Sequence, residues 1–164
     1  MFGLFSGRKK HVANAVEHVR RYVTIIQKNQ GLPAGFWESE YVLGWFHTMI
    51  GMVLKFSSQG KLGSAELGFA VAETFEGVSG LSGTELVRRC SSLALHSPDF
   101  ERGGDDAAAA ILFGMGSLRA PSEHTLVVHA KRIVGQSGQT GEIVGAMILL
   151  SLGKEVEKLQ ELRD

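Results

Sequence analysis

Val12, Val16, Val19, Val23 and Ile26 recur at alternating steps of four and three. A coil of 3.6 residues per turn places such a set on one face, with Lys10, Glu17, Arg21 and Lys28 opposite. This stripe predicts an amphipathic helix over about 10–29, ended by Gly31 and Pro33. The same reading repeats along the chain, because the prolines and glycine clusters fall between periodic runs. Residues 39–58 form a second helix, capped by Ser39 and stopped by Gly60. From Tyr41 to Phe56 it is apolar almost all round. Sixteen residues broken by His47 and Lys55 are too few for a bilayer, which needs about 20, so a buried central helix is expected.

A third helix over 64–77 turns Leu67, Val71, Phe75 and Val78 inward. A fourth opens with Ser82 and Glu85 at capping-box spacing and buries Leu86, Val87, Cys90, Leu93 and Ala94. The fifth region is divided, with a short turn at Pro98 and a fresh start at Asp105 or Asp106 leading into an apolar run over 107–118. Pro121 closes that run. Ser122 caps a sixth helix, to about 135, with Leu126, Ala130, Ile133 and Val134 inside. The seventh covers 141–162, apolar over 143–152 and amphipathic beyond, with Val156, Leu159 and Leu162 inward. No period-2 alternation of useful length and no tight hairpin turn interrupts this pattern. The expectation is an all-α, single-domain bundle of about seven helices over 10–164, preceded by a flexible or docked segment over 1–9.

Glycine is unusually abundant, at 21 residues. Gly44, Gly51, Gly68, Gly114, Gly116 and Gly145 sit inside helical runs, where each costs roughly 1 kcal/mol against Ala. Close helix approach is the expected reason.

Net charge is zero, and no Arg- and Asn-rich recognition helix stands out, so no nucleic-acid partner is expected. The lone Cys90 cannot form an internal disulfide, and the first ten residues do not make a signal peptide. A cytoplasmic location is expected. Charge is uneven, however. Residues 1–30 carry Arg8, Lys9, Lys10, Arg20, Arg21 and Lys28 against Glu17, while 142–164 carry five acids and three bases. These ends could face one another. With Phe2, Leu4 and Phe5, the basic start also suggests peripheral membrane contact.

No residue is assigned a catalytic role and no metal or cofactor is expected. His124 and His129 leave a helix about 140° apart, and a metal-binding HExxH is absent. His96 is read as complementing a helix C-terminus, and Cys90 as an inert core thiol. Carboxylates on the third helix read as solvated. Trp45 and His47 in the apolar helix define the weak candidate for a pocket, for haem or an apolar small molecule. The leading expectation is a non-catalytic interaction or scaffold protein, homo-oligomeric through surplus apolar surface on the second, fifth and seventh helices. Phe69, placed between Glu73 and Glu76 on a polar side, adds to that surface.

Overall fold

Proline, glycine and hydroxyl caps set most of the helix ends. The structure, a computed structural model, describes residues 3–116, 124–135 and 138–162. Helix α1 spans Gly3–Gln30, α2 Glu40–Ser57, α3 Ser64–Ser79, α4 Gly83–Leu93 and α5 Pro98–Gly114. Helix α6 spans Thr125–Val134 and α7 Thr140–Ile148. A π-turn, Leu149–Gly153, joins α7 without a break to α8, Lys154–Glu161. A 3₁₀ turn, Phe36–Glu38, leads into α2. With α7 and α8 as one rod, the described residues make seven helices and no strand. None of these helices is long and apolar enough to cross a membrane.

Local chemistry accounts for the starts. Ser39 Oγ accepts from the Val42 N–H at 3.3 Å to open α2, and Ser97 Oγ accepts from the Phe100 N–H at 3.0 Å to open α5. Pro98 takes the first position of α5, where its missing N–H costs nothing. At α4 only half of the expected box forms. Ser82 accepts from Glu85 N–H, but the Glu85 carboxylate turns to Arg88, three residues further along the same face.

Three expected boundaries move. Helix α1 starts near Gly3 rather than residue 10. The fifth region is one continuous helix from Pro98, because Gly103 and Gly104 are held inside it by close packing on α2. Pro121 and Ser122 lie outside the described residues. The side chain that caps α6 is His124, whose Nδ1 accepts from the Leu126 N–H at 3.2 Å.

Helix α2 runs through the centre. Tyr41 to Phe46, Met49, Ile50 and Leu54 are buried on it, and its contact with α5 is the most extensive between two helices. The glycines explain that intimacy. A Cβ on Gly44 would fall on the Phe100 carbonyl, and one on Gly103 on the Tyr41 carbonyl, so two backbones meet with nothing between them. Gly83 approaches Ala72 of α3 in the same manner, and Gly77 meets Val16 of α1. Of the glycines singled out by sequence, only Gly44 works this way. Gly51, Gly68 and Gly145 face open space, Gly114 only grazes Val144, and Gly116 ends α5 in a left-handed conformation at φ 64°.

The core has two parts. The larger gathers α1, α2, the inner faces of α3 and α4, Phe100, Ala107 and Ile111 of α5, and Ile148, Leu152 and Val156. The smaller joins Ala109 and Ala110 of α5 to Leu126, Val127 and Ala130 of α6 and to Ile143 and Met147 of α7. The apolar runs 107–118 and 143–152 are therefore partly core where described, although Met115 and Leu149 stay exposed at 54% and 38%. Three residues expected inside point outward: Ala94, Ile133 and Leu162, the last two at 66% and 75% exposure. Each lies in the last turn of its helix or just past it, where no neighbouring helix continues to cover it.

Candidate functional site

The residues that sequence analysis paired do not meet. Trp45 and His47 are two positions apart on α2, about 200° around the axis, so they leave opposite faces. Trp45 is sealed in the core, its ring 5.8 Å from Tyr22 and 5.1 Å from Phe46. Its indole N–H has no hydrogen-bond partner among the described residues. His47 is half-buried on the α5 side, 5.9 Å from the Phe100 ring, and burial lowers its pKa. A shared pocket at these two residues is thus not what the fold builds.

The basic N-terminal group is also dispersed. Arg8 pairs with Glu73 at 3.0 Å and lies 5.9 Å over the ring of Phe69, which stays 63% exposed. Arg20 donates to the Gly77 carbonyl at 2.7 Å, and Arg21 pairs with Glu17 along α1. Arg8 and Arg20 thus fasten α1 to α3 rather than to the acidic C-terminus. What meets α8 is Gln30, which donates to Glu157 at 3.2 Å. Lys9 and Lys10 are exposed; Phe2 and the side chains of Leu4 and Phe5 lie outside the described residues. Cys90 is buried, which pushes its thiol up to about 12.

The structure instead assembles a cleft of about 570 Å³, lined mostly by charged and hydroxyl-bearing residues, where α2, α5, α6 and the π-turn converge. Helix α5 contributes Asp99, Arg102 and Asp106 at steps of three and four, one face of a helix. From α6 come Thr125 and His129, also one turn apart. Ser151, Lys154, Glu155 and Lys158 line it from the π-turn and α8, and Tyr41 forms part of the inner wall.

The π-turn has a sequence cause. Ile143, Met147, Ser151 and Glu155 are buried at steps of four, as are Ile148, Leu152 and Val156. In a regular α-helix a step of four drifts about 40° round the axis. The wider π-turn takes back that drift and keeps both rows facing the bundle. Ser151 supports it by donating to the Met147 carbonyl at 2.7 Å. Gly153 allows Gln30 of α1 to approach the same turn. One consequence is that Glu155, a carboxylate, ends on the buried side at 7% exposure.

Such a group is costly to bury unless it is hydrogen-bonded. Ser39, having capped α2 through its oxygen, donates its proton to Glu155 Oε1 at 2.8 Å, and Lys158 stands 3.7 Å away. Across the cleft, Tyr41 donates to Asp106 Oδ2 at 2.7 Å, with the Arg102 guanidinium 4.9 Å over its ring. Burial, then the hydrogen bond and charge of Asp106, push the Tyr41 pKa far up, so the phenol keeps its proton. Because His124 Nδ1 accepts a backbone N–H, the proton of neutral His124 sits on Nε2, which faces Asp106 Oδ1 at 3.7 Å. Arg102 pairs with Asp99 at 3.0 Å. The cleft therefore holds fixed donors and acceptors in a partly desolvated place.

Sequence reasoning missed these residues for a simple reason. Asp99–Arg102–Asp106 and Ser151–Lys154–Glu155–Lys158 are charged stripes at helical spacing, and such stripes usually face water. The burial of Glu155 is the signal, and it exists only once the four-residue steps are noticed.

Among the described residues, no three His, Cys, Asp or Glu side chains are grouped so as to hold a metal ion. Fold and cleft together define an all-α bundle with a charged interhelical cleft. Comparison with protein-family models, curated proteins and solved structures finds no match.

Proposed function

We propose that the protein is a non-catalytic helical interaction protein that binds a small polar ligand in the cleft between α2, α5, α6 and α8. The observation that carries this reading is the coincidence of three costly features at one place. A carboxylate is buried at Glu155, a tyrosine is committed to Asp106, and the helix is widened by a π-turn. An apolar wall would hold these helices together at lower cost. Polar groups fixed in advance around a volume of about 570 Å³ are what a ligand site requires, and π-turns recur at functional sites.

Much of the apolar surface of α2, α5 and α7 that suggested a homodimer is buried within one chain, while Phe56, Met115 and Leu149 stay exposed. Phe69, Leu95 and Ile133 are exposed as well, on α3, in the turn after α4 and on α6. A buried, protonated Cys90 suits the reducing cytosol, where we place the protein.

The test is a screen of small charged and neutral fragments by ¹H–¹⁵N NMR. Saturable shifts are expected at Tyr41, Thr125, Ser151 and Glu155. Shifts confined to other surfaces would refute the cleft as the binding site. Sedimentation at micromolar concentration gives the second measurement: a monomer of about 18 kDa agrees with binding in the cleft, and a dimer with α6 protected from exchange would return the interaction to an apolar face.

A further inference from the structure

The charged groups of the cleft divide into those already satisfied by a neighbour and those that are not. Every carboxylate is satisfied. Asp99 has Arg102, Asp106 has the Tyr41 hydroxyl, and Glu155 has the Ser39 hydroxyl with Lys158 nearby. A cationic ligand would have to displace one of these donors and leave it unpaired in a partly buried place, which is unfavourable. Lys154 and His129 differ. Both line the cleft, both are exposed, and neither makes an ion pair or side-chain hydrogen bond among the described residues. Thr125, the first residue of α6 and also part of the cleft lining, adds a hydroxyl at the positive end of a ten-residue helix. An anion entering here displaces only water.

Resting on the cleft as the binding surface, we infer that its ligand carries a compact anion, a carboxylate or phosphate, held by Lys154, His129 and Thr125. The cleft is much larger than such a group, and Leu126 and Leu150 supply apolar wall beside it. The anion is therefore one end of a larger molecule with a partly apolar body. Specificity between carboxylate and phosphate falls to the donors: an ammonium is a point charge that accepts either.

Sodium phosphate and sodium citrate, each titrated into ¹⁵N-labelled protein against sodium chloride at equal ionic strength, test this. The expected result is a saturable shift of the Thr125, His129 and Lys154 amides with at least one of the two anions and none with chloride. Lys154→Gln should weaken that binding about tenfold, the order of one charge-assisted hydrogen bond, and Lys61→Gln, at an exposed position on another face, should leave it unchanged. Lys154 is exposed, so its variant is expected to keep the wild-type spectrum elsewhere. Absence of saturable shifts with both anions overturns the inference, as does a Lys154→Gln variant that binds as wild type does. If neutral or cationic fragments occupy the cleft while anions do not, the inference fails and the cleft stands. If no fragment of any charge binds there, the cleft itself fails.

Discussion

Replacing Gly44 with alanine adds one methyl group, and the fold gives that methyl nowhere to go. It would fall on the Phe100 carbonyl, which belongs to a helix backbone and cannot rotate aside. Real Cβ contacts begin near 3.0 Å, so α2 and α5 must part by about 1 Å. A gap of that size forfeits about a quarter to a half of each dispersion contact along the crossing. Overpacking of this kind costs about 1–3 kcal/mol, and the upper end is expected because backbone must move. Gly103→Ala should behave alike, through the Tyr41 carbonyl. Since both methyls force the same separation, the double variant should cost less than the two single costs added, by about 1 kcal/mol or more. Gly51→Ala, about two helix turns further along α2 and facing open space, should instead stabilise by up to about 1 kcal/mol through helix propensity. Urea titration, read as a midpoint shift at constant slope, measures all four. A Gly44→Ala variant as stable as wild type, or a Gly51→Ala variant as damaged, would refute the close-crossing argument.

Leu54 is wholly buried on α2, so Leu54→Ala should cost about 2–5 kcal/mol in the same urea assay. Burial lowers the pKa of both His47 and His18 below the ordinary 6.5. The unfolded chain then binds more protons just below pH 6.5, so stability is full above that value and declines as pH falls toward the folded pKa values. Thermal melts from pH 7.5 to 5 should show the decline, and His47→Gln with His18→Gln should flatten it; an unchanged slope in that variant would count against burial as the cause. Cys90 should react slowly with a thiol reagent at pH 8 in the native protein and fully in denaturant, whereas fast native labelling would contradict its burial. Lys9→Ser with Lys10→Ser should leave stability within about 0.5 kcal/mol, as both are exposed. Co-sedimentation with anionic vesicles that survives physiological salt and disappears in this variant would establish membrane contact through α1.

The sequence by itself determined the class of fold. The valine stripe of α1, the hydroxyl caps at Ser39, Ser82 and Ser97, and the punctuation by glycine and proline are local features, and helix formation is decided largely by local features. Burial of Tyr41–Leu54 also followed from composition, since an apolar run too short for a bilayer has only a core to enter. What the tertiary structure decided was everything that depends on which faces meet. Gly44 and Gly51 look alike in sequence, yet only the first touches another backbone. The apolar surplus on α2, α5 and α7 suited a dimer or a core, and the packing of α6 against α5 and α7 buries part of it in a second core cluster. The cleft was invisible for the same reason. Two charged stripes, one on α5 and one along the π-turn and α8, are ordinary solvated faces until the bundle brings them to one cleft, and only then does Glu155 become buried with Lys154 exposed beside it. Charge in a sequence reports what a residue can do; proximity, which the chain does not encode locally, determines whether it has already been done.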